Sequence, residues 1–241
     1  MKTLRLGTRG SKLALWQAEY AAAQLQQQNP DIMVQIEIIK TTGDKVLDVA
    51  LSKIGDKGLF TKELEIELMR GNIDLAVHSL KDMPAELEPG LMIGAVLTRE
   101  NPADVLLSLG NYKLKDLPYN AVIGTSSLRR RAQITAIRPD LEIVDIRGNV
   151  ETRVRKMQEQ NLDGIILAYA GVKRLGLEKY ISDYLPFEVM LPAVGQGIIA
   201  IETSQAAHEV NKIVSTINDH ATHVAVLAER SFLAAIEGGC Q

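Results

Sequence analysis

The sequence predicts an α/β protein with two lobes joined by a hinge. First, apolar runs of strand length alternate with amphipathic helical stretches along the chain. Second, the alternation pauses at residues 100–102 and restarts at residue 121. Third, Pro186 and Pro192 frame a second connection before a strand at 198–202. Such a strand could return to the first lobe, because hinged binding folds commonly cross twice between lobes.

The first lobe is predicted to run β-α-β-α-β-β. Its expected elements are strand 4–8, helix 11–28, strand 33–39, helix 61–70, strand 73–77 and strand 91–97. Ser11 and Thr61 provide side chains that can cap the two helices. Residues 41–44 and 51–58 are predicted to be loops, and the second loop carries lysines among glycines, which favours an anion.

The second lobe repeats the strand–loop–helix pattern. Its expected elements are strand 121–124, a helix holding Arg129–Arg131, strand 141–146, a helix holding Arg153, strand 164–167 and helix 170–175. The Gly-Thr-Ser-Ser turn at 124–127 leads into a helix start, where free backbone N–H groups and hydroxyls suit an anion. Helices at 205–217 and 220–236 follow the returning strand.

Composition bounds the class of protein. A length of 241 residues fits one large or two modest domains, and 24% charged with 46% hydrophobic residues is ordinary for a globular protein. The net charge of -3 argues against nucleic acid as a partner, so any anion site must be local. The N-terminus lacks the apolar core of a signal peptide, and no apolar run reaches membrane-spanning length. We therefore expect a cytoplasmic protein with no membrane partner.

The stretch Val77–Pro84 is the predicted centre of the chemistry. It follows an apolar run, 73–77, that is typical of a buried strand, and Pro84 is expected to stop that strand. Lys81 and Asp82 then lie at a strand's carboxyl end, where open α/β sheets bind ligands. A carboxylate beside an ammonium can hold a cation that forms during a reaction. The alternative is a solvated ion pair in a turn, because most surface charge pairs contribute little.

Basic residues recur at predicted strand ends and helix starts in both lobes. They are Arg9, Lys53, Lys57, Lys81, Arg129, Arg130, Arg147, Arg153 and Arg174. In an acidic protein this placement indicates a cleft that holds several carboxylates or phosphates, since arginine grips carboxylates in a bidentate manner. Taken singly, each of these side chains would also suit a solvated helix face.

Other motifs carry little. The run Gly195–Ala200 matches the dinucleotide fingerprint, but a proline precedes it and a β-branched run follows, so we reject it. His220 and His223 have no third ligand nearby, and we predict no metal site. Cys240, the single cysteine, follows two glycines with no apolar run around it. That setting favours an accessible thiol over a buried one.

Seven ordered motifs, from end to end of the chain, closely resemble the porphobilinogen deaminase family, also called hydroxymethylbilane synthases. They are residues 9–17 (RGSKLALWQ), 55–60 (GDKGLF), 77–84 (VHSLKDMP), 124–130 (GTSSLRR), 147–149 (RGN), 191–197 (LPAVGQG) and 237–240 (EGGC). The resemblance implies two lobes like those of periplasmic binding proteins, with the active site in the cleft between them. We accordingly expect lobe 1 at 1–99 and 197–218 and lobe 2 at 104–193.

The resemblance also implies the reaction. A dipyrromethane cofactor would be bonded through a thioether to Cys240, and four porphobilinogen molecules would be joined head to tail onto it with release of ammonia. Hydrolysis would then free hydroxymethylbilane for haem biosynthesis. Asp82 would be the catalytic carboxylate, because it can hydrogen-bond the pyrrole N–H and stabilise the cation left by ammonia. A monomeric cytoplasmic enzyme is implied.

The family pattern carries over residue by residue. The implied cofactor-binding residues are Cys240, Lys81, Asp82, Ser127, Arg129, Arg130, Arg147 and Gly148. The implied substrate-binding residues are Arg9, Ser11, Arg147, Arg153, Arg174 and Gln196. The implied mobile loop carries Lys53, Lys57 and Phe60.

One departure from the family leaves alternatives open. The family continues past this cysteine into a third, small α/β domain, of which residues 219–241 would be the start. The chain could therefore be an inactive, truncated fragment of the enzyme. From a different class, it could be a two-lobe anion-binding protein without catalysis, which would bind ligands without releasing ammonia.

Overall fold

The computed structural model describes residues 2–45 and 58–236. Their contacts group into two compact units. Unit 1 contains residues 2–45, 58–100 and 197–236, and unit 2 contains residues 101–196. Each unit is built on its own five-stranded mixed sheet, which confirms the predicted α/β class.

Unit 1 has the strand order β2-β1-β3-β10-β4. Its elements are β1 (Lys2–Thr8), α1 (Lys12–Gln28), β2 (Ile32–Ile38), α2 (Thr42–Lys45), α3 (Lys62–Met69), β3 (Leu75–Ser79), β4 (Leu91–Val96), β10 (Ile199–Ser204), α7 (His208–Ser215) and α8 (His220–Ala235). Strand β1 runs parallel to β2 and β3, whereas β10 is antiparallel to both β3 and β4. The carboxyl ends of β1 and β3 therefore meet at one edge of the sheet.

The core of unit 1 follows from the pattern of apolar residues. Leu4 and Leu6 alternate on β1, and Leu25 closes the buried face of α1 onto them. Strand β10 is buried along its first five residues, because it lies inside the sheet with helices on its faces. This core fixes the ends of β1 and β3 relative to each other.

Unit 2 has the strand order β7-β6-β8-β5-β9, which repeats the plan of unit 1. Its elements are β5 (Asp104–Ser108), β6 (Val122–Gly124), α4 (Leu128–Ile137), β7 (Glu142–Val144), α5 (Val150–Glu159), β8 (Gly164–Ala168), α6 (Tyr169–Arg174) and β9 (Ile181–Leu185). Strand β6 is parallel to β7 and β8, and β5 is antiparallel to β8 and β9. Two apolar clusters fill the two faces of this sheet.

Three local expectations were wrong. Strands β5 and β9 were not predicted, and they complete the second sheet because β5 pairs with β8 and β9 pairs with β5. Residues 42–45 form a helical turn instead of a loop, since the Thr42 N–H donates to Glu63 Oε1 at 2.7 Å. Strand β3 continues to Ser79 and ends in a 3-10 turn at Leu80–Asp82, so Pro84 does not stop it.

Helix α8 packs on the rest of unit 1. Asp219 caps its start by accepting the Thr222 N–H at 2.8 Å, and Val226 is buried. Arg230 donates to the carbonyl oxygens of Pro84 and Ala85 at 2.9 and 2.7 Å. The helix is thereby tied to the segment that follows Asp82. Among the described helices, none has the length and apolar character needed to cross a bilayer.

Candidate active site

A pocket in unit 1 gathers residues from the carboxyl ends of β1 and β3, the start of α1 and the turn before α3. Its lining is Arg9, Ser11, Leu13, Ala14, Gln17, Phe60, Thr61, Val77, His78, Ser79 and Asp82. Because β1 and β3 are parallel neighbours, residues that follow them in sequence lie at the same sheet edge. Four residues singled out from sequence, Arg9, Ser11, Phe60 and Asp82, share this pocket.

Asp82 is held in place by backbone and packing. It ends the 3-10 turn after β3, and the Leu80 side chain anchors that turn with only 2% of its surface exposed. The Leu80 N–H donates to the Ile198 carbonyl at 3.0 Å, and the Met83 N–H donates to the Leu80 carbonyl at 3.1 Å. The backbone of the half-buried Asp82 is therefore held in place by contacts that do not involve the Asp82 carboxylate. Lys81 is half-buried in the same turn.

Gln17 is a pocket residue to which sequence analysis assigned no role. It is 3% exposed, and its Nε2 donates to Ser79 Oγ at 2.9 Å. The signal was available, because Gln17 lies among the buried residues Ala14, Ala18 and Ala21 of α1. A polar side chain on a helix's buried face needs a partner. The Gln17–Ser79 pair couples α1 to the end of β3, next to Asp82.

Arg9 and Ser11 have local partners in the pocket. The Arg9 guanidinium lies over the Phe60 ring, 4.1 Å from its centroid, an arrangement that stabilises the cation. Ser11 caps α1, with its Oγ accepting the Ala14 N–H at 3.3 Å. The flat face of the Arg9 guanidinium is thus supported by the Phe60 ring.

A buried imidazole of the pocket lining, that of His78, is paired with a buried carboxylate. His78 Nε2 is 3.0 Å from Glu202 Oε2, and both side chains are at most 3% exposed. Glu65 of α3 is also buried, and burial raises its pKa above the ordinary value. No sequence pattern links residues 78 and 202, which come together only through the pairing of β3 with β10.

Unit 2 contains a charged cluster centred on Asp104, which sequence analysis missed. Asp104 Oδ2 accepts from Arg129 Nη2 at 2.6 Å, and Asp104 Oδ1 accepts from Arg130 Nη2 at 2.7 Å. Burial would raise the pKa of Asp104, but the two guanidinium groups hold it below the ordinary value. Burial also lowers the pKa of Arg129. Two cations share one carboxylate, so the cluster has an excess charge of one.

Gln196 joins the same cluster. Its Nε2 donates to Asp104 Oδ1 at 2.9 Å and to the Pro102 carbonyl at 2.6 Å, and the residue is 1% exposed. The predicted role of Gln196 in substrate binding stays a prediction. The structure places it among the partners of Asp104.

The remaining predicted residues of unit 2 lie at helix starts or in the loops before them, except Arg174, which was expected there and lies instead at a helix end. Ser127 Oγ caps α4 by accepting the Arg130 N–H at 3.4 Å. Gly148 has a φ of 119°, and its carbonyl accepts from Arg153 Nε at 2.8 Å. Arg147 precedes that glycine, and Arg174 is in the last turn of α6. Their assignment to cofactor or substrate remains a prediction.

Several expectations fall outside the described part of the chain. Lys53, Lys57 and Cys240 lie outside the described residues, so the structure says nothing of the loop or the thiol. Within residues 2–45 and 58–236, no group of three or more His, Cys, Asp or Glu side chains could hold a metal ion.

Comparison with solved structures addresses the fold. The chain is similar to a TRAP periplasmic solute binding protein from Desulfovibrio salexigens, with a TM-score of 0.53 and 10% identity over 97% of this chain and 77% of that one. It is similar also to the periplasmic VFT2 domain of Bordetella pertussis BvgS, with a TM-score of 0.52 and 12% identity over 95% of this chain and 92% of that one. These similarities confirm the predicted fold, which is like that of periplasmic binding proteins.

Comparison of sequences identifies the family. Residues 4–212 match the family model described as "Porphobilinogen deaminase, dipyromethane cofactor binding domain". The porphobilinogen deaminase of Syntrophomonas wolfei is 66% identical over all 241 residues, which span 79% of its length. That of Carboxydothermus hydrogenoformans is 54% identical over 240 residues, with 77% of its length covered. The chain belongs to the porphobilinogen deaminase family.

Proposed function

We propose that this chain is a transferase of tetrapyrrole biosynthesis that joins four porphobilinogen molecules head to tail, with release of ammonia, to give hydroxymethylbilane. The observation that carries the proposal is the unit 1 pocket, where the carboxylate of Asp82 and the guanidinium of Arg9 are brought together with the hydroxyl groups of Ser11 and Ser79.

The charges of the pocket match the substrate. Porphobilinogen carries an acetate, a propionate and an aminomethyl group on a pyrrole ring. Arg9, stacked on Phe60, suits a substrate carboxylate, and Asp82 suits the pyrrole N–H. When ammonia leaves, the ring becomes cationic, and a fixed carboxylate stabilises that charge without needing to reorganise. Asp82 meets this requirement because the turn around it is anchored by Leu80.

The cofactor assignment is supported by the donors of unit 2. A dipyrromethane carries several carboxylates, and the Asp104–Arg129–Arg130 cluster has one positive charge in excess. The start of α4 and the loop at Gly148 add backbone and side-chain donors that suit the same groups. When bound, the cofactor supplies the pyrrole carbon to which the first substrate is joined. In our proposal Arg129, Arg130, Arg147 and Ser127 orient its carboxylates, and Cys240 provides the sulfur of the thioether.

Further proposals rest on the family. Lys53, Lys57 and Phe60 belong to a mobile loop, Lys81 and Gly148 contact the cofactor, and Arg153, Arg174 and Gln196 contact substrate. The domains are 1–99 with 197–218, 104–193, and a third that begins at 219. We also propose a monomeric, cytoplasmic protein. Light scattering of the purified chain tests whether the protein is monomeric.

Intact mass spectrometry tests the assignment directly. The purified chain should carry a discrete addition of two pyrrole units, and Cys240→Ser should lack that addition and give no pyrrole colour reaction. A chain that binds porphobilinogen but releases no ammonia would instead favour the anion-binding alternative. A loaded Cys240→Ser variant would show that the sulfur is not the point of attachment.

A further inference from the structure

The buried carboxylate of Asp104 lies among groups that are expected to bind anions, where a negative charge is unexpected. Asp104 is 0% exposed on strand β5, and its three side-chain donors lie 25, 26 and 92 residues away in sequence. We propose that Asp104 is a positioning residue, which sets both the net charge and the direction of the two arginines that bind carboxylates. This inference rests on the proposed function of Arg129.

The two carboxylate oxygens have separate tasks. Oδ2 receives Arg129, while Oδ1 receives Arg130 and Gln196. Each arginine has a second anchor, since Arg129 donates to the Leu191 carbonyl and Arg130 donates to the Ile166 carbonyl at 3.0 Å. Both guanidinium groups are thereby held at two points, which fixes their planes.

The arginines differ in what they can reach. The Arg129 side chain is 25% exposed and the Arg130 side chain is 7% exposed. Arg129 therefore presents more of its guanidinium to a ligand than Arg130 does, and Arg130 also adds charge and holds Asp104. A guanidinium carries five N–H donors, so Arg129 keeps donors for a ligand after binding Asp104 and Leu191.

The net charge of the cluster distinguishes a positioning role of Asp104 from a purely structural one. Two guanidinium groups and one carboxylate leave a charge of +1, so one incoming carboxylate neutralises the cluster. Without Asp104 the charge would be +2. A structural role alone does not require this arrangement, because replacing buried ion pairs with apolar residues is often neutral or stabilising. An aspartate here instead limits attraction for small anions and directs the arginines at a carboxylate in one orientation.

Asp104→Asn changes charge with little change of shape. Its amide nitrogen would face a guanidinium N–H that needs an acceptor, so one arginine would turn away. We expect sulfate at low ionic strength to bind the variant about tenfold more tightly, because a unit charge a few ångströms from a dianion has been removed. Loading with two pyrrole units, read by intact mass, should fall in the same variant. These opposite changes are what a general loss of structure cannot produce.

The control is Asp140→Asn. Asp140 is also an aspartate of unit 2 bound to an arginine, Arg138, and the change of charge is the same. Because Arg138 follows the other end of α4, it lies roughly 13 Å along the helix from Arg129. Sulfate affinity and pyrrole loading should both stay within twofold of the parent chain.

A second variant works in the opposite direction and does not depend on Asp104→Asn folding. Arg130→Met lowers the cluster charge to zero, so sulfate should bind about tenfold more weakly, although Arg130 itself is nearly inaccessible. Sulfate affinities equal to the parent's in either folded variant would overturn the inference. A parent chain without pyrrole would refute the proposed function instead, and the sulfate comparison would still decide the role of Asp104.

Discussion

Replacing Asp82 by asparagine should abolish most of the catalysis while leaving the fold intact. The 3-10 turn that carries Asp82 is held by the buried Leu80 side chain and by backbone hydrogen bonds, and asparagine is nearly isosteric with aspartate. We therefore expect the free energy of unfolding to change by no more than about 0.5 kcal/mol, as is usual for substitutions outside a core.

The expected loss of rate follows from Coulomb's law. A carboxylate about 4 Å from a unit positive charge contributes roughly 4 kcal/mol at an effective dielectric constant near 20, the value suited to a partly buried site. The asparagine oxygen still accepts a neutral hydrogen bond, which contributes about 1 kcal/mol. The net loss of about 3 kcal/mol corresponds to a rate roughly 100-fold lower. In our proposal Arg9 still binds a substrate carboxylate in this variant, so kcat should fall more than KM rises.

The assay is ammonia release and bilane formation by the purified chain. The chain contains its own matched control, because Leu114–Asp116 of unit 2 repeats the tripeptide Leu-Lys-Asp in another 3-10 turn, with Leu114 buried and Asp116 exposed. Asp116→Asn should retain the parent's rate within twofold. An Asp82→Asn chain within fivefold of the parent, or an equal loss in Asp116→Asn, would refute the electrostatic argument.

Three further outcomes can be checked. Arg129→Leu should lower the affinity for free dipyrromethane about 10- to 150-fold in calorimetry, because each charged hydrogen bond contributes roughly 1.5–3 kcal/mol, while the exposed Arg131→Leu should change it less than twofold. Burial would raise the pKa of Asp74, but the guanidinium of its partner Arg5 holds it below the ordinary value. The contribution of Asp74 to stability is therefore complete above a pH of about 4 and is lost as pH falls through the lowered pKa. The free energies of unfolding of the parent and of Asp74→Asn, measured in urea, should converge in acid, and a constant difference would contradict this. Gly197→Ala should lower the Tm in thermal denaturation more than Gly176→Ala does. Both positions have positive φ, but of the two only Gly197 would bring the added Cβ to a backbone oxygen, at 2.3 Å. Equal decreases in Tm would contradict the steric argument.

The sequence predicted the elements whose signal is local and missed those whose signal is not. The helices α1 and α3 were expected near their observed bounds, and α4 was expected to hold Arg129–Arg131. The expected cap of α3 was wrong, because the Thr61 side chain makes no capping hydrogen bond. Strand β5 was missed because its short apolar run, 105–107, directly follows the Pro102 connection, which was interpreted as a hinge. Strand β9 is a short edge strand with Ser182 and Asp183 in its middle, so it lacks a clear alternation. Both depend on partners distant in the chain.

The same limit applies to the site. Asp82 and Arg9 were identified because they follow strands, and strand ends converge in parallel sheets. Asp104 had no such signal, since its partners are supplied by a helix and a connection that fold onto β5 from elsewhere. His78 and Glu202 likewise meet only across the β3–β10 pairing. The role of a buried charged residue can be predicted only when the position of its oppositely charged partner is known.

The position of β10 inside its sheet has a consequence for biosynthesis. Strand β4 is hydrogen-bonded in its sheet to β10, and β10 lies about 100 residues further along the chain. At roughly 5–20 residues per second, the ribosome takes about 5–20 s to deliver that partner. All of unit 2 is synthesised within this interval. During synthesis, β3 and β4 therefore lack the strand that lies between them in the first sheet. All five strands of the second sheet are contiguous in sequence and are complete before β10 is made.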